Sequence, residues 1–129
     1  MTTALVCIAL LGLLLFGLGL GVSWTRGRTQ QVIGAPDDPT SALLKAVRAH
    51  GNTTEFAPML AILILLVGMR DPAAWVVWTM AIATLSRYLI AIGILASPTL
   101  ERPHPLRALG ALGTYVTGVM LCVALLMSL

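Results

Sequence analysis

Four apolar stretches separated by three polar connections set the pattern of this chain. Thr3 to Ser23 and Ala108 to Leu129 carry no charge, and each supplies the about 20 residues a helix needs to cross a bilayer. A third run, Pro72 to Ala96, is interrupted only by Arg87. The remaining one, Phe56 to Met69, is too short to span alone, so a helix ending near Gly68 has to begin near Ala49. That carries Asn52 and Glu55 to membrane depth and leaves Arg48 at its edge. The pattern predicts an all-α membrane protein, an antiparallel four-transmembrane-helix bundle forming one domain over residues 1–129, with spans at about 3–23, 42–69, 72–96 and 106–129.

A removable leader is the competing interpretation of the first run. It would show a basic start, a shorter apolar core and a small-residue cleavage site, and these are missing here. The connections follow turn chemistry. Trp24 to Thr40 is polar and holds Gly34 and two prolines, which predicts a loop. Asp38-Pro39 and Asp71-Pro72 each read as an N-cap followed by a first helical proline, so the turn between the second and third helices is short and the pair antiparallel. Ser97 to Pro105 forms the last polar connection.

Composition agrees with the pattern: 58% of residues are hydrophobic and 10% charged, against about 25% charged in soluble domains. The net charge of +3 speaks first about topology. Arg26, Arg28, Lys45, Arg48, Arg102 and Arg107 gather at the first and third connections, against Arg70 at the second. By the positive-inside rule those two connections are cytoplasmic and both termini lie outside. No nucleic-acid module is present. Cys7 and Cys122 stand alone in the first and last spans, which predicts small buried hydrophobes rather than a metal or redox site.

Candidate chemistry sits in the second helix. Arg48, Asn52 and Glu55 recur at helical spacing and share one face, with Lys45 a turn earlier. Arg87 lies about 22 Å along its helix from Pro72, and Glu55 about 20 Å from Gly68 at the same end, so the two have similar depth. Arg107 opens the fourth helix in the same membrane half. A purely structural explanation pairs Glu55 with one arginine while the others reach the headgroups. One acid cannot compensate three arginines, however, and the surplus beside an apolar groove suits an anionic, partly hydrophobic ligand. His50 falls away from the stripe as an interfacial or packing residue, and His104, in a proline-rich loop, is expected to be solvated. Gly17, Gly21, Gly110 and Gly113 offer small faces for helix packing, Trp75 and Trp78 interfacial anchors, and Pro58 a kink beside the stripe.

The segment Arg48-Ala49-His50-Gly51-Asn52-Thr53-Thr54-Glu55-Phe56-Ala57-Pro58 resembles the signature of the MAPEG family, membrane-associated proteins in eicosanoid and glutathione metabolism. The likeness extends over nearly the whole chain and is to bacterial-type members similar to microsomal glutathione transferases. It implies a homotrimer in a bacterial cytoplasmic membrane, with glutathione as co-substrate held between subunits near the cytoplasmic side. Carried over by position, Arg48, Asn52, Glu55 and Arg87 would bind glutathione, Arg26 or Arg28 would supply the basic residue at the end of helix one, and Arg107 would hold the thiolate. Phe56, Ile90 and Ile94 depart from the family, which often has tyrosine or histidine there. The implied function is a glutathione-dependent transferase or peroxidase acting on small lipophilic electrophiles from the lipid, with no metal. The alternative is a non-catalytic scaffold that binds lipid or fatty acid.

Overall fold

The computed structural model describes every residue, Met1–Leu129. It contains four helices, α1 (Thr2–Thr29), α2 (Ala42–Gly68), α3 (Ala74–Ala96) and α4 (Pro105–Met127), each long and apolar enough to cross a membrane. Helices α1 and α4 do not touch one another; they flank the central α2–α3 pair. One core joins all four near the end that holds both termini, with Ala4, Leu11, Ile64, Met80 and Leu121 almost fully enclosed. Outward-facing residues such as Leu13, Phe16, Leu20 and Val119 remain exposed, as lipid-facing side chains should.

Several boundaries depart from the sequence pattern, each for a local reason. Helix α1 runs on through Trp24–Thr29, where a loop was expected. Hydroxyls of Ser23, Thr25 and Thr29 donate back to the carbonyls of Gly19, Gly21 and Thr25, which lets polar residues stay helical. Arg26 and Arg28 fall in its last turn, where positive charge suits the helix dipole. Helix α2 is capped by Ser41, whose side chain accepts from Leu44 N at 3.4 Å, not by Asp38. Asp38 instead closes a turn on Thr40, accepting from its N at 2.9 Å and its Oγ1 at 2.7 Å. Those two bonds hold the Asp38 carboxyl below its ordinary pKa. Asp71 likewise is not a cap: it adopts a left-handed conformation, φ 48°, and Ala73 precedes α3.

Glycine permits the tightest approach, between α3 and α4. A Cβ at Gly110 would come within 2.7 Å of Ser86 O and 2.8 Å of Ile90 N, and one at Gly93 within 2.8 Å of Arg107 N. Gly17 and Gly21 have nothing within 4 Å of that position; they line a groove with Ala42, Lys45 and Ala46 of α2 and Leu95 of α3 and make no close helix contact. Cys7 is buried as expected, whereas Cys122 is exposed on α4.

Hydrogen bonds tie the two ends of the bundle separately. Arg70 donates to Ser128 O at 2.7 Å at the terminal end. At the opposite end, Leu100 N donates to Pro39 O at 3.0 Å and Lys45 Nζ to Ser97 O at 3.2 Å, so the first and third connections form one rim.

Candidate functional site

A cavity of about 470 Å³ opens beside that rim, between α2, α3, α4 and the 97–104 connection. Its volume is within the range of roughly 300–1,000 Å³ usual for small-molecule sites. Helix α2 contributes Arg48, Asn52 and Phe56, one turn apart along a single face; α3 contributes Arg87, Ile90 and Ile94; α4 contributes Arg107, Ala108, Ala111, Thr114 and Tyr115. Leu100, Pro103 and His104 complete it from the connection.

Arg87 organises the interior. Its side chain is fully buried, and Nη2 donates to Asn52 O at 2.8 Å and to Asn52 Oδ1 at 2.6 Å. Its Nη1 reaches Thr114 Oγ1 at 3.4 Å. That hydroxyl spends its own hydrogen on Gly110 O at 2.8 Å, leaving lone pairs for the guanidinium. The guanidinium carbon also lies 5.0 Å from the centroid of the Phe56 ring, a cation–π contact. Phe56 in turn meets Tyr115 edge-on, with centroids 5.7 Å apart and planes at 65°. These partners are all neutral, and Arg87 Nε has no hydrogen-bond partner. A buried cation whose direct contacts are all neutral favours an anion brought beside it.

Arg107 is half-buried at the rim, where Nη1 donates to Leu100 O at 3.3 Å and Arg102 O at 3.4 Å. Arg48 is exposed at the mouth. The cavity wall thus carries three guanidinium groups and no carboxylate, with an apolar half formed by Ile90, Ile94, Leu100, Ala108 and Ala111. No group of three or more His, Cys, Asp or Glu is placed to hold a metal ion.

A protein-family model, the MAPEG family, matches residues 4–127, which is nearly the whole chain. The chain belongs to the MAPEG family. No curated protein and no solved structure matches it. MAPEG membership makes it a membrane protein of the glutathione and eicosanoid type, built on four helices.

In this MAPEG protomer, Arg48, Asn52, Arg87 and Arg107 of the sequence-derived set share the cavity, and three others stand apart. Glu55 is exposed on the α2 surface, beside the wall rather than on it, and Arg87 finds Asn52 and Thr114 instead of this carboxylate. Arg26 folds over the end of α1, where Nη1 donates to the carbonyls of Gln31, Val32 and Gly34 at 3.2, 3.2 and 2.8 Å. Arg28 is exposed near it. His50 packs against α1 near Gly19, as its helical angle implied. His104 is partly exposed at the edge of the cavity, which it lines, with Nδ1 buried and unpartnered.

Thr114 and Tyr115 were missed by sequence reasoning, although a signal existed. They follow Arg107 by seven and eight residues, on the helix face that also carries Ala111. Tyr115 brings a phenol to a wall whose α2 and α3 positions, Phe56, Ile90 and Ile94, have none.

Proposed function

We propose that this protein is a membrane-bound glutathione-dependent transferase or peroxidase for lipophilic electrophiles. The observation that carries the reading is a half-apolar cavity with three guanidinium groups and no carboxylate on its wall. Glutathione is an anionic tripeptide; Arg48 at the mouth and Asn52 behind it receive its carboxylates while Arg87 supplies fixed positive potential. Arg107 holds the sulfur. A free thiol with pKa near 8.5 is only about 3% thiolate at pH 7. Guanidinium groups in a water-poor site stabilise the anion, each pKa unit of depression being worth about 1.4 kcal/mol. The apolar half admits the second substrate from the lipid, and the thiolate attacks it.

Glu55, Arg26 and Arg28 enter this scheme through a neighbouring copy. An exposed carboxylate at membrane depth is costly unless another surface covers it. A homotrimer in which neighbours complete each site would cover it, in a bacterial cytoplasmic membrane with the rim toward the cytoplasm. Titrating glutathione into detergent-purified protein while following thiolate absorbance tests the reading; no thiolate and no heat of binding would sink it. The second reading, a lipid- or fatty-acid-binding scaffold, is favoured by the apolar residues at Phe56, Ile90 and Ile94. Fatty-acid binding that is indifferent to glutathione, with no turnover, would establish it.

A further inference from the structure

The two hydrogen bonds from Arg87 to Asn52 decide which way the asparagine amide faces. Arg87 Nη2 donates both to Asn52 O at 2.8 Å and to Asn52 Oδ1 at 2.6 Å, so one nitrogen holds the residue by its main chain and by its side chain. A guanidinium has donors and no acceptor, so the amide –NH2 could not stand where Oδ1 stands. The orientation is assigned by the partner: oxygen on Arg87, nitrogen away from it. Asn52 Nδ2 makes no hydrogen bond within the protomer, yet the buried side-chain atoms left without a partner are Arg87 Nε and His104 Nδ1 alone. Nδ2 is therefore accessible, on a residue that lines the cavity one turn from Arg48. Arg87 itself is 0% exposed, so a ligand meets the amide it holds rather than the guanidinium.

We propose that Arg87 is a positioning residue that fixes Asn52 as a hydrogen-bond donor, and that Asn52 Nδ2 and the Arg48 guanidinium form a subsite that takes a carboxylate and refuses an ammonium. That glutathione brings the carboxylate rests on the reading above; the direction of the amide does not. The hydrogens of Nδ2 call for an acceptor. Arg48 beside them favours an ionised one, since hydrogen bonds to charged partners are roughly twice as strong as neutral ones. An ammonium in the same place would meet a cation and two N–H donors, with no carboxylate on the wall to receive it. The apolar half of the cavity leaves a fatty acid as a second source of the same group.

Asn52 is the only asparagine in the chain, so full-length protein labelled with nitrogen-15 at the asparagine side-chain amide gives a single Nδ2 signal, read by NMR in mild detergent. In the ligand-free parent this signal should relax as a rigid group, and glutathione should move its protons downfield. In Arg87→Met it should relax as a mobile side chain, with glutathione affinity at least about tenfold lower. Equal rigidity in the two proteins would take the positioning role from Arg87. Asn52→Asp keeps the shape, pairs with Arg87 and replaces the donor by an acceptor. Its melting temperature should hold or rise while glutathione affinity falls about 10- to 150-fold; unchanged or tighter binding would overturn the assignment. So would glutathione that binds the parent without moving the Nδ2 signal. A parent that binds no glutathione removes the glutathione reading, and dodecanoate against dodecylammonium then decides this proposal: the carboxylate alone should move Nδ2, and movement by both or by neither would overturn it. If Arg87→Met fails to fold, the parent titrations and Asn52→Asp carry the same decision.

Discussion

At Arg87 a full positive charge is buried against an amide, a hydroxyl and an aromatic ring, with no carboxylate in direct contact. A cation kept this way serves binding better than stability, because burying a charge with no ion-pair partner is costly. Arg87→Met should therefore leave the melting temperature of the ligand-free protein unchanged or raised, while glutathione affinity measured by calorimetry falls at least about tenfold, the equivalent of about 1.4 kcal/mol. A lower melting temperature with unchanged affinity would make Arg87 a structural residue. Arg107, half-exposed at the rim, has the opposite profile. Arg107→Ala should lower turnover by about 10- to 150-fold at neutral pH, since a charge-assisted contact is worth roughly 1.5 to 3 kcal/mol. Glutathione affinity should fall much less, and activity should partly return at high pH. Arg107→Lys should keep part of the rate, since a point charge survives without the planar fork. Wild-type turnover in the alanine variant would take Arg107 out of the mechanism.

Among the elements, the α3–α4 pair positions most of the site, and glycine decides how closely it can pack. A methyl group at Gly110 would press on Ser86 O and Ile90 N, backbone atoms that cannot rotate away. Overpacking of this kind costs about 1–3 kcal/mol, more than the roughly 1 kcal/mol that alanine gains over glycine inside a helix. Gly110→Ala should thus lower thermal stability in detergent, whereas Gly12→Ala, with open space at its Cβ, should not. The helices themselves were legible in the sequence because hydropathy and span length leave little choice in a bilayer. The caps were less so. An Asp-Pro pair signals either a cap or a turn, and tertiary context chose the turn at Asp38 and a left-handed residue at Asp71. Of the site, Arg48, Asn52, Arg87 and Arg107 could be brought together from helical spacing and depth. Whether His104 faced water or the cavity could not, because that depends on how a proline-bounded connection folds back over the bundle end.

For the whole molecule, the exposed carboxylate of Glu55 at membrane depth supports the proposed assembly, in which a neighbouring copy covers it. Native mass spectrometry in mild detergent should show a trimer. Glu55→Ala should weaken both that assembly and glutathione binding, while unchanged assembly and affinity would show the carboxylate to be merely solvated. The charge asymmetry also fixes an orientation to test. A cysteine introduced at Gln30 should resist an impermeant reagent applied outside intact cells, and ready labelling there would reverse the topology and move the site to the other face.

The rim built by the Leu100–Pro39 and Lys45–Ser97 hydrogen bonds joins segments more than fifty residues apart in the chain. Loops that meet this way brace one another: Leu100, which lines the cavity, is tied back to the α1–α2 connection, and shifting it means parting its bond to Pro39. Under the proposed function, a flexible water-soluble peptide would enter past this braced edge, while greasy molecules would come sideways from the lipid. A change in the α1–α2 connection, far from any reacting atom, would therefore be felt first as a change in how fast the water-borne partner arrives and leaves.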